Sequence, residues 1–195
     1  LARALISESY GLFVIAVDLF ATLFLLLDLG LPTLLARDGP RNPSAIWPGM
    51  LRIYRLQGLV VILFAPIVVS LVLSQSVHDG LMLLGAGVAL VHIASYAPRA
   101  ALRAAGDARF ESITKVIERL MTTVGYASLY FIDSSDVVAY AAVFFGGAIV
   151  GLILALIGAY WTCAKTSGDA KSSQLGSDWV SKKSLLFAAL PFAIT

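Results

Sequence analysis

The sequence predicts an all-α integral membrane protein with five transmembrane helices followed by the truncated start of another. Of its 195 residues, 59% are hydrophobic and only 13% are charged, and the mean hydropathy is +0.88. Soluble domains carry about a quarter charged residues, so this composition does not suit a surface in contact with water. The apolar residues form five long segments, and the cations lie between these segments in a regular alternation.

Each apolar segment is compatible with a membrane span, which requires about 20 residues. A connection rich in Pro and Gly follows the first segment, and short polar connections follow the second and fourth. Pro66 lies within the second segment, where neighbouring helices are able to satisfy the freed backbone group. The third segment is expected to continue past Pro98 as an amphipathic turn. The predicted segments are residues 10–36, 56–73, 81–97, 115–132 and 137–163.

The cations predict the orientation of the chain in the membrane. Thirteen of the 14 Lys and Arg residues lie at or beside three alternate connections, whereas the connections at 74–80 and 132–136 contain none. Short cytoplasmic loops of membrane proteins retain Lys and Arg. We therefore expect the connections 37–55, 98–115 and 165–183 to be cytoplasmic.

Both ends of the sequence are expected to be truncations of a longer chain. It begins with Leu1 and ends twelve residues into an apolar run that opens at Ser184. One further helix before Leu1 would give a lobe of six helices, joined to a second lobe as in many transporters. The predicted organisation is a five-helix part of the first lobe at 1–164, a cytoplasmic linker at 165–183 and the truncated first helix of the second lobe at 184–195.

Two acidic residues interrupt the first apolar segment. Ionisable groups inside membrane helices are costly and usually face a bundle interior or a water-filled cavity. At a rise of 1.5 Å per residue, Asp18 would lie roughly 12 Å inside the membrane and Asp28 near its cytoplasmic boundary. Both are candidates for binding a coupling ion. For Asp28, the alternative is a capping or anchoring role beside Gly30 and Pro32.

The third segment carries His92, Tyr96, Arg99 and Arg103 at helical spacing, so these side chains share one face. A guanidinium such as that of Arg99 suits the oxyanions of a phosphate or diphosphate. His92 is an ion-coupling candidate. The alternatives are snorkelling arginines at the membrane surface and a histidine that only packs.

The fourth segment carries the clearest polar stripe. Such a stripe is unfavourable against lipid, so it predicts a wall that faces a cavity or another helix. Glu118 lies beside the stripe, three residues from Lys115, and is a further ion-coupling candidate. An Asp28–Arg119 or Glu118–Arg119 ion pair is the structural alternative to a cationic cavity wall. The stripe consists of Lys115, Arg119, Thr122, Tyr126 and Tyr130.

Small residues recur every four positions in the fifth segment, a spacing that lets helix backbones approach closely and therefore predicts packing. Cys163 is the only cysteine, so no disulfide forms within the chain. The sequence shows no metal-ligand spacing, catalytic motif or phosphate-binding glycine loop, so we expect no metal, no cofactor and no enzyme. Cations that flank apolar helices also argue against nucleic acid as a partner. The small residues are Gly147, Gly151, Ala155 and Ala159.

Four stretches of the sequence resemble the polysaccharide and O-antigen flippases of the multidrug/oligosaccharidyl-lipid/polysaccharide exporter superfamily. The opening is similar to the start of their second helix, and the run from Asp28 to Thr33, followed by Arg37, is similar to its end. The other two stretches resemble the connection from the fourth to the fifth helix and the start of the second lobe. The four stretches are residues 1–13, 28–33, 99–110 and 182–192.

The resemblance implies part of a two-lobed transporter with twelve or more helices, in the cytoplasmic membrane of a bacterium or archaeon. It implies export of a polyprenyl-diphosphate-linked oligosaccharide or related glycolipid, for cell-surface polysaccharide or O-antigen lipopolysaccharide, by alternating access. On this hypothesis Arg99, Lys115 and Arg119 attract the diphosphate or anionic sugars, with Thr122 and Tyr126 beside them in the cavity. The expected partners are this lipid-linked oligosaccharide, membrane lipids and a coupling proton or sodium ion.

Three other functions compete with this hypothesis. One is a membrane scaffold that transports nothing, and the charged positions inside the membrane argue against it. A drug/cation antiporter of the same superfamily would share the fold, but it would be expected to place acidic groups in its cavity, so the basic stripe argues against it. A lipid-linked glycan ligase or polymerase would require a large extracytoplasmic loop. The connections at 74–80 and 132–136 are too short to form one.

Overall fold

The computed structural model describes residues 5, 7–28, 30–73 and 79–169. In this part of the chain there are six α-helices and two short 3-10 helices, and no β-strand. The α-helices are α1 (Ser7–Leu27), α2 (Leu31–Asp38), α3 (Ile46–Leu73), α4 (Asp79–Ala104), α5 (Ala108–Phe131) and α6 (Val137–Asp169), and the 3-10 helices are Gly39–Arg41 and Pro43–Ala45.

The protein is an all-α membrane protein, as the sequence predicts. Among the described residues, three helical stretches are long and apolar enough to cross a membrane: Pro43–Ile67, Gly80–Ala104 and Val137–Cys163. The apolar stretch of α1 is shorter, Ser9–Thr22. Helix α5 has 24 residues, a length of roughly 36 Å that suffices for a span, but it carries several charged side chains. Spans through α1 and α5 stay predictions.

Two apolar clusters mark the two ends of the helix bundle. One contains residues from α2, the start of α3, the end of α4 and the end of α6, among them Leu34, Met50, Leu102 and Cys163. The other contains residues of α1, the start of α4 and the start of α6. Because α4 contributes opposite ends to the two clusters, the connection from α2 to α3 and the connection from α4 to α5 lie at the same end. This end carries the basic residues of both connections.

Helix α4 is the central element. It packs against α6, α1, α2 and α3, while α5 packs mainly against α6. Small residues permit the close approaches: Ala97, Ala100 and Ala101 are fully buried. A Cβ atom at Gly85 would lie 2.5 Å from the carbonyl oxygen of Ala16, so α1 crosses α4 in direct backbone contact.

The prediction of one continuous first helix over 10–36 is wrong. Helix α1 ends at Leu27 and α2 begins at Leu31, with a break between them. Gly30 has φ 64°, a left-handed conformation that glycine adopts without the steric penalty of a Cβ atom. Pro32 follows in the first turn of α2, where its missing N–H leaves no helical hydrogen bond unmade.

Three other predicted boundaries are also wrong. Helix α3 begins at Ile46 rather than 56, because Pro48 falls in its first turn and does not interrupt it. Helix α5 begins at Ala108 rather than 115, with the Asp107 side chain accepting a hydrogen bond from the Phe110 amide at 3.2 Å. Helix α6 continues to Asp169, so the predicted linker at 165–183 begins as helix. The rest of that linker and the predicted segment 184–195 lie outside the described residues.

Candidate functional site

A hairpin of two antiparallel helices holds most of the interior charge. Helices α4 and α5 are joined by a tight turn in which Gly106 has φ 82°. Basic residues at the end of α4 therefore face acidic residues at the start of α5. Asp107 caps α5 and also accepts a hydrogen bond from the Thr162 hydroxyl of α6 at 3.4 Å, which ties the turn to a third helix.

The outer charge cluster, which consists of Arg103, Glu111 and Lys115, lies nearest the turn. Glu111 is 6% exposed although it is ionisable. Its Oε1 accepts a hydrogen bond from Lys115 Nζ at 2.7 Å, and its Oε2 lies 3.4 Å from Arg103 Nε. The two cations are about half exposed. One buried carboxylate is therefore shared by two cations that reach towards the surface.

The inner charge cluster, which consists of His92, Arg99 and Glu118, lies two turns further from the connection. Glu118 is 4% exposed and Arg99 is 7% exposed. The Arg99 guanidinium donates a hydrogen bond to Glu118 Oε2. His92 Nε2 lies 3.4 Å from Glu118 Oε1, a distance at which protonated imidazole forms an ion pair, although the hydrogen-bond geometry is not met. Glu118 therefore lies between two basic side chains of α4.

The small residues of α6 pack against the inner charge cluster. Gly151 lies against the Glu118 carboxylate, and a Cβ atom at Gly151 would overlap it. Gly147 lies in the same way against the Thr122 hydroxyl, which donates a hydrogen bond to the Glu118 carbonyl at 3.0 Å. Ala155 and Ala159 are fully buried. The predicted packing role of the stripe is confirmed, and its glycines also make room for polar groups of α5.

Part of the inner charge cluster lacks hydrogen-bond partners. Arg99 Nε and His92 Nε2 are buried without an acceptor. The His92 ring packs edge-on against Phe144 at 5.6 Å between ring centroids. A buried donor without an acceptor costs about 1–3 kcal/mol. The hairpin is therefore held together by an ion pair that is only partly satisfied.

The residues of the predicted polar stripe of α5 differ in their burial. Thr122 is buried against α6, whereas Lys115 and Arg119 are exposed. Tyr126 is half-buried and packs against Tyr140 at 5.6 Å between ring centroids. The exposed cations line a shallow groove of about 300 Å³ on the outer face of α5. The groove is formed by Lys115, Val116, Arg119, Leu120 and Thr123.

The ion pairs considered as the structural alternative for α5, Asp28–Arg119 and Glu118–Arg119, are not among those observed. Glu118 pairs with Arg99 and His92 rather than with Arg119 or Lys115. Lys115 pairs with Glu111, one helical turn earlier. Arg119 makes no ion pair within the part of the chain that the structure describes. The reason is helix rotation: Glu118 points to α4 and α6, whereas the next residue points outward.

The two acidic residues of the first predicted helix lie in different environments. Asp28 is 9% exposed at the break between α1 and α2, where its Oδ1 accepts a hydrogen bond from Gln57 Nε2 of α3 at 2.7 Å. Asp18 is exposed on α1 and has no hydrogen bond or ion pair to another described residue. The structure therefore brings neither residue to the inner charge cluster.

Sequence reasoning did not single out two residues of these sites, Glu111 and Gln57. A signal existed for each. Glu111 precedes Lys115 by four residues, the spacing of a helical ion pair. Gln57 is the first polar residue inside the predicted second segment, 56–73.

At the same end of the bundle, outside the spanning stretches, Arg37 forms a two-point contact with the carboxylate of Asp38. Its Nε and Nη2 atoms donate hydrogen bonds at 2.9 and 2.7 Å. The Arg37 guanidinium holds the pKa of the Asp38 carboxyl below its usual value. Arg37 thus has an acidic neighbour that offsets much of its charge, whereas Arg119 forms no ion pair with another described residue.

Charged side chains, and no metal-ligand group, characterise the described part of the site. Among the described residues, no group of three or more His, Cys, Asp and Glu is placed to hold a metal ion. The described part of the chain contains the inner and outer charge clusters between helices α4 and α5, and two exposed cations, Lys115 and Arg119. Such features suit electrostatic contact with an anionic group at the membrane.

Comparison with known proteins identifies a family. No curated protein matches the chain significantly, and no solved structure does so. The family model described as "Polysaccharide biosynthesis protein" matches residues 1–192, almost the whole length. The chain therefore belongs to this family of polysaccharide biosynthesis proteins.

Proposed function

We propose that this chain is the first-lobe part of a flippase that moves a polyprenyl-diphosphate-linked oligosaccharide across the cytoplasmic membrane of a bacterium or archaeon. The observation that carries the proposal is the pair of exposed cations on α5, in a helical membrane protein of a polysaccharide biosynthesis family. The protein would be a transporter rather than an enzyme, acting by alternating access between two lobes. Its product would serve a cell-surface polysaccharide such as O antigen.

The charge balance explains why Lys115 and Arg119 are the residues to test. Arg99 is buried and paired with Glu118, so its charge is already offset inside the bundle. Lys115 and Arg103 share the single carboxylate of Glu111. Arg119 pairs with no carboxylate in the described part of the chain. An excess of positive charge therefore remains on the outer face of α5. A diphosphate, which carries several negative oxygens, is a chemical match for two neighbouring cations.

The apolar residues of the same groove support a ligand that is itself a lipid. Val116 and Leu120 are 56% and 57% exposed, directly beside the two cations. A polyprenyl chain would contact such side chains while its diphosphate lies on Lys115 and Arg119. The connections at the basic end would be cytoplasmic, where the lipid-linked oligosaccharide is loaded.

The test uses the complete gene in the organism that carries it. Deletion is expected to abolish surface glycan and to cause the lipid-linked oligosaccharide to accumulate, since synthesis continues while export stops. Wild-type protein is expected to restore surface glycan and to remove the accumulated lipid-linked oligosaccharide. Arg119→Ala, present in the membrane at the same abundance, is expected to do neither. Arg109→Ala is the matched control, because Arg109 is also an exposed arginine of α5 but lies outside the groove.

Each outcome decides a different part of the proposal. Normal surface glycan after deletion, with no accumulated intermediate, would overturn the flippase. Full restoration by Arg119→Ala would keep the flippase and remove the cationic groove from its mechanism. Equal loss with Arg109→Ala would show that overall charge matters rather than the groove.

A further inference from the structure

Helix α4 carries a proline, Pro98, in its interior. In an α-helix each carbonyl accepts a hydrogen bond from the amide four residues later. The carbonyl of Ala94 would therefore be bonded by the amide of residue 98, but proline has no amide hydrogen. No water replaces the missing donor inside a membrane, so another protein group has to supply it.

A tyrosine of the neighbouring helix supplies this donor. The Tyr54 hydroxyl of α3 donates a hydrogen bond to the Ala94 carbonyl at 2.6 Å. The two residues are 40 positions apart in the chain, so the contact depends on the packing of α3 against α4. The hydrogen bond that Pro98 removes from α4 is thus replaced by one from a different helix.

The proline also lies where α4 passes from one apolar cluster to the other. The buried residues that α4 contributes to the cluster with α1 end at Ile93, and those that it contributes to the cluster at the basic end begin at Ala97. Tyr54 packs against the cluster at the basic end, while the carbonyl that it bonds lies between the two clusters. The two halves of α4 are therefore held by different sets of residues.

A serine in the same turn makes the helix less regular there. Ser95 is 1% exposed, and its hydroxyl donates a hydrogen bond to the carbonyl of His92, three residues earlier, at 2.7 Å. Serine hydroxyls that bond back to the preceding turn compete with the helical hydrogen bonds and often bend helices. Ser95 and Pro98 thus both favour a bend in one turn of α4.

Glu118 of α5 connects the two sides of this turn. Its carboxylate lies beside His92, which precedes the proline, and pairs with Arg99, which directly follows it. A change in the angle between the two halves of α4 would move these basic side chains by different amounts relative to the carboxylate. Bending of α4 would therefore alter the inner charge cluster.

We propose that α4 is hinged at Pro98 and that the Tyr54 hydroxyl is a latch, a hydrogen-bond donor that holds the hinge in the observed conformation. While the hydrogen bond to Ala94 is made, the two halves of α4 keep a fixed angle. When it breaks, the half that packs with α1 moves relative to the half in the cluster at the basic end. The latch goes beyond the proposed function, and its test does not depend on transport.

A double-mutant cycle tests the chemical basis of the latch. Tyr54→Phe removes only the hydroxyl and is expected to lower the Tm of the purified full-length protein by about 2–4 °C, because the Ala94 carbonyl loses its donor. Pro98→Ala restores an amide hydrogen that bonds the same carbonyl within the helix. In the Pro98→Ala background, Tyr54→Phe is therefore expected to change the Tm by less than about 1 °C.

Distances between two spin labels test the motion. Labels at Leu83, which is exposed in the first half of α4, and at Ala108, which is exposed at the start of α5, lie on opposite sides of the proline. Pulsed electron paramagnetic resonance measures the distribution of the distance between them, on the full-length protein in lipid nanodiscs in a background that carries Cys163→Ala and no other cysteine. Tyr54→Phe is expected to broaden this distribution. Pro98→Ala is expected to remove the broadening, because the helix becomes continuous.

Tyr96→Phe is the matched control. Tyr96 lies on α4 itself, and its hydroxyl makes no hydrogen bond to another described residue. This variant is expected to change neither the Tm nor the distance distribution.

Two results would overturn the proposal. A Tyr54→Phe variant that loses no Tm, or loses as much in the Pro98→Ala background as with the proline present, would exclude the latch. A distance distribution that Tyr54→Phe leaves unchanged would exclude the hinge, and this measurement decides alone where Pro98→Ala does not fold. Neither result bears on the flippase, whose test is surface glycan.

Discussion

Glu118 of α5 lies directly over Gly151 of α6, at a distance that leaves no room for a methyl group between them. This contact explains how a carboxylate is accommodated between three helices. The absence of a side chain at Gly151 lets α6 approach α5, and the space is filled by the carboxylate that pairs with Arg99. A packing motif and an ion pair are therefore parts of one arrangement.

Gly151→Ala is expected to destabilise the protein by about 1–3 kcal/mol, because the added methyl group overlaps the Glu118 carboxylate and forces the helices apart. Thermal unfolding of the purified protein measures this. Gly146→Ala is the matched control: it lies on the same helix, has nothing within 4 Å of the added Cβ atom and is expected to be neutral or slightly stabilising. Equal Tm values for the two variants would show that α6 does not rest on Glu118.

Glu118→Gln is expected to cost about 3–5 kcal/mol, because it leaves the buried Arg99 guanidinium without a countercharge. Arg99→Met alone is expected to be similarly destabilising, since it leaves the carboxylate with His92 only. The double variant, which buries neither charge, is expected to be more stable than the sum of the single effects predicts. A double-mutant cycle by thermal unfolding measures the coupling, and additive effects would argue against the pair.

The outer charge cluster predicts a different pattern of coupling. Arg103→Ala and Lys115→Ala are each expected to cost about 0.2–1 kcal/mol, since both side chains are about half exposed and either one alone still neutralises Glu111. Together they leave a buried carboxylate unpaired, so the double variant is expected to lose more than the sum. The free energy of unfolding of the three variants tests this. A simple sum would show that water already solvates Glu111.

Gly30→Ala is expected to destabilise the protein by about 1–2 kcal/mol, because alanine disfavours the left-handed conformation at φ 64°. The change should also disturb the position of Asp28, two residues earlier, and its hydrogen bond with Gln57. Gly11→Ala, in the second turn of α1 with nothing within 4 Å of the added Cβ atom, is the control and is expected to stabilise the protein by about 0.4–1 kcal/mol. The unfolding midpoints of the two variants distinguish these effects. An unchanged midpoint for Gly30→Ala would mean that the backbone between α1 and α2 accommodates alanine without loss of stability.

Sequence reasoning located the helices better than it located their ends. Hydropathy revealed the apolar segments because each must meet lipid or the bundle interior along its length. It missed the break at Asp28 and placed the start of α3 ten residues late, since single Gly and Pro residues act according to their exact position in a turn. Pro48 is harmless in the first turn of α3, whereas Gly30 ends one helix and starts another.

The candidate site was predicted correctly on α4 but only partly on α5. Spacing along α4 correctly placed His92, Arg99 and Arg103 on one face, because positions three and four residues apart share a side of a helix. Spacing along α5 grouped Lys115, Arg119 and Thr122, but it did not predict that Thr122 is buried while the two cations at the edge of the same face are exposed.

Composition, hydropathy and the placement of the cations determined by themselves that this is a helical membrane protein with its basic connections at one end. These properties follow from the cost of exposing each residue to lipid or water, which the sequence alone specifies. Only the tertiary structure decided which carboxylate each cation meets. Glu118 pairs across the hairpin with Arg99, and Asp28 pairs with Gln57 of α3, because partner choice depends on how each helix is rotated against its neighbours.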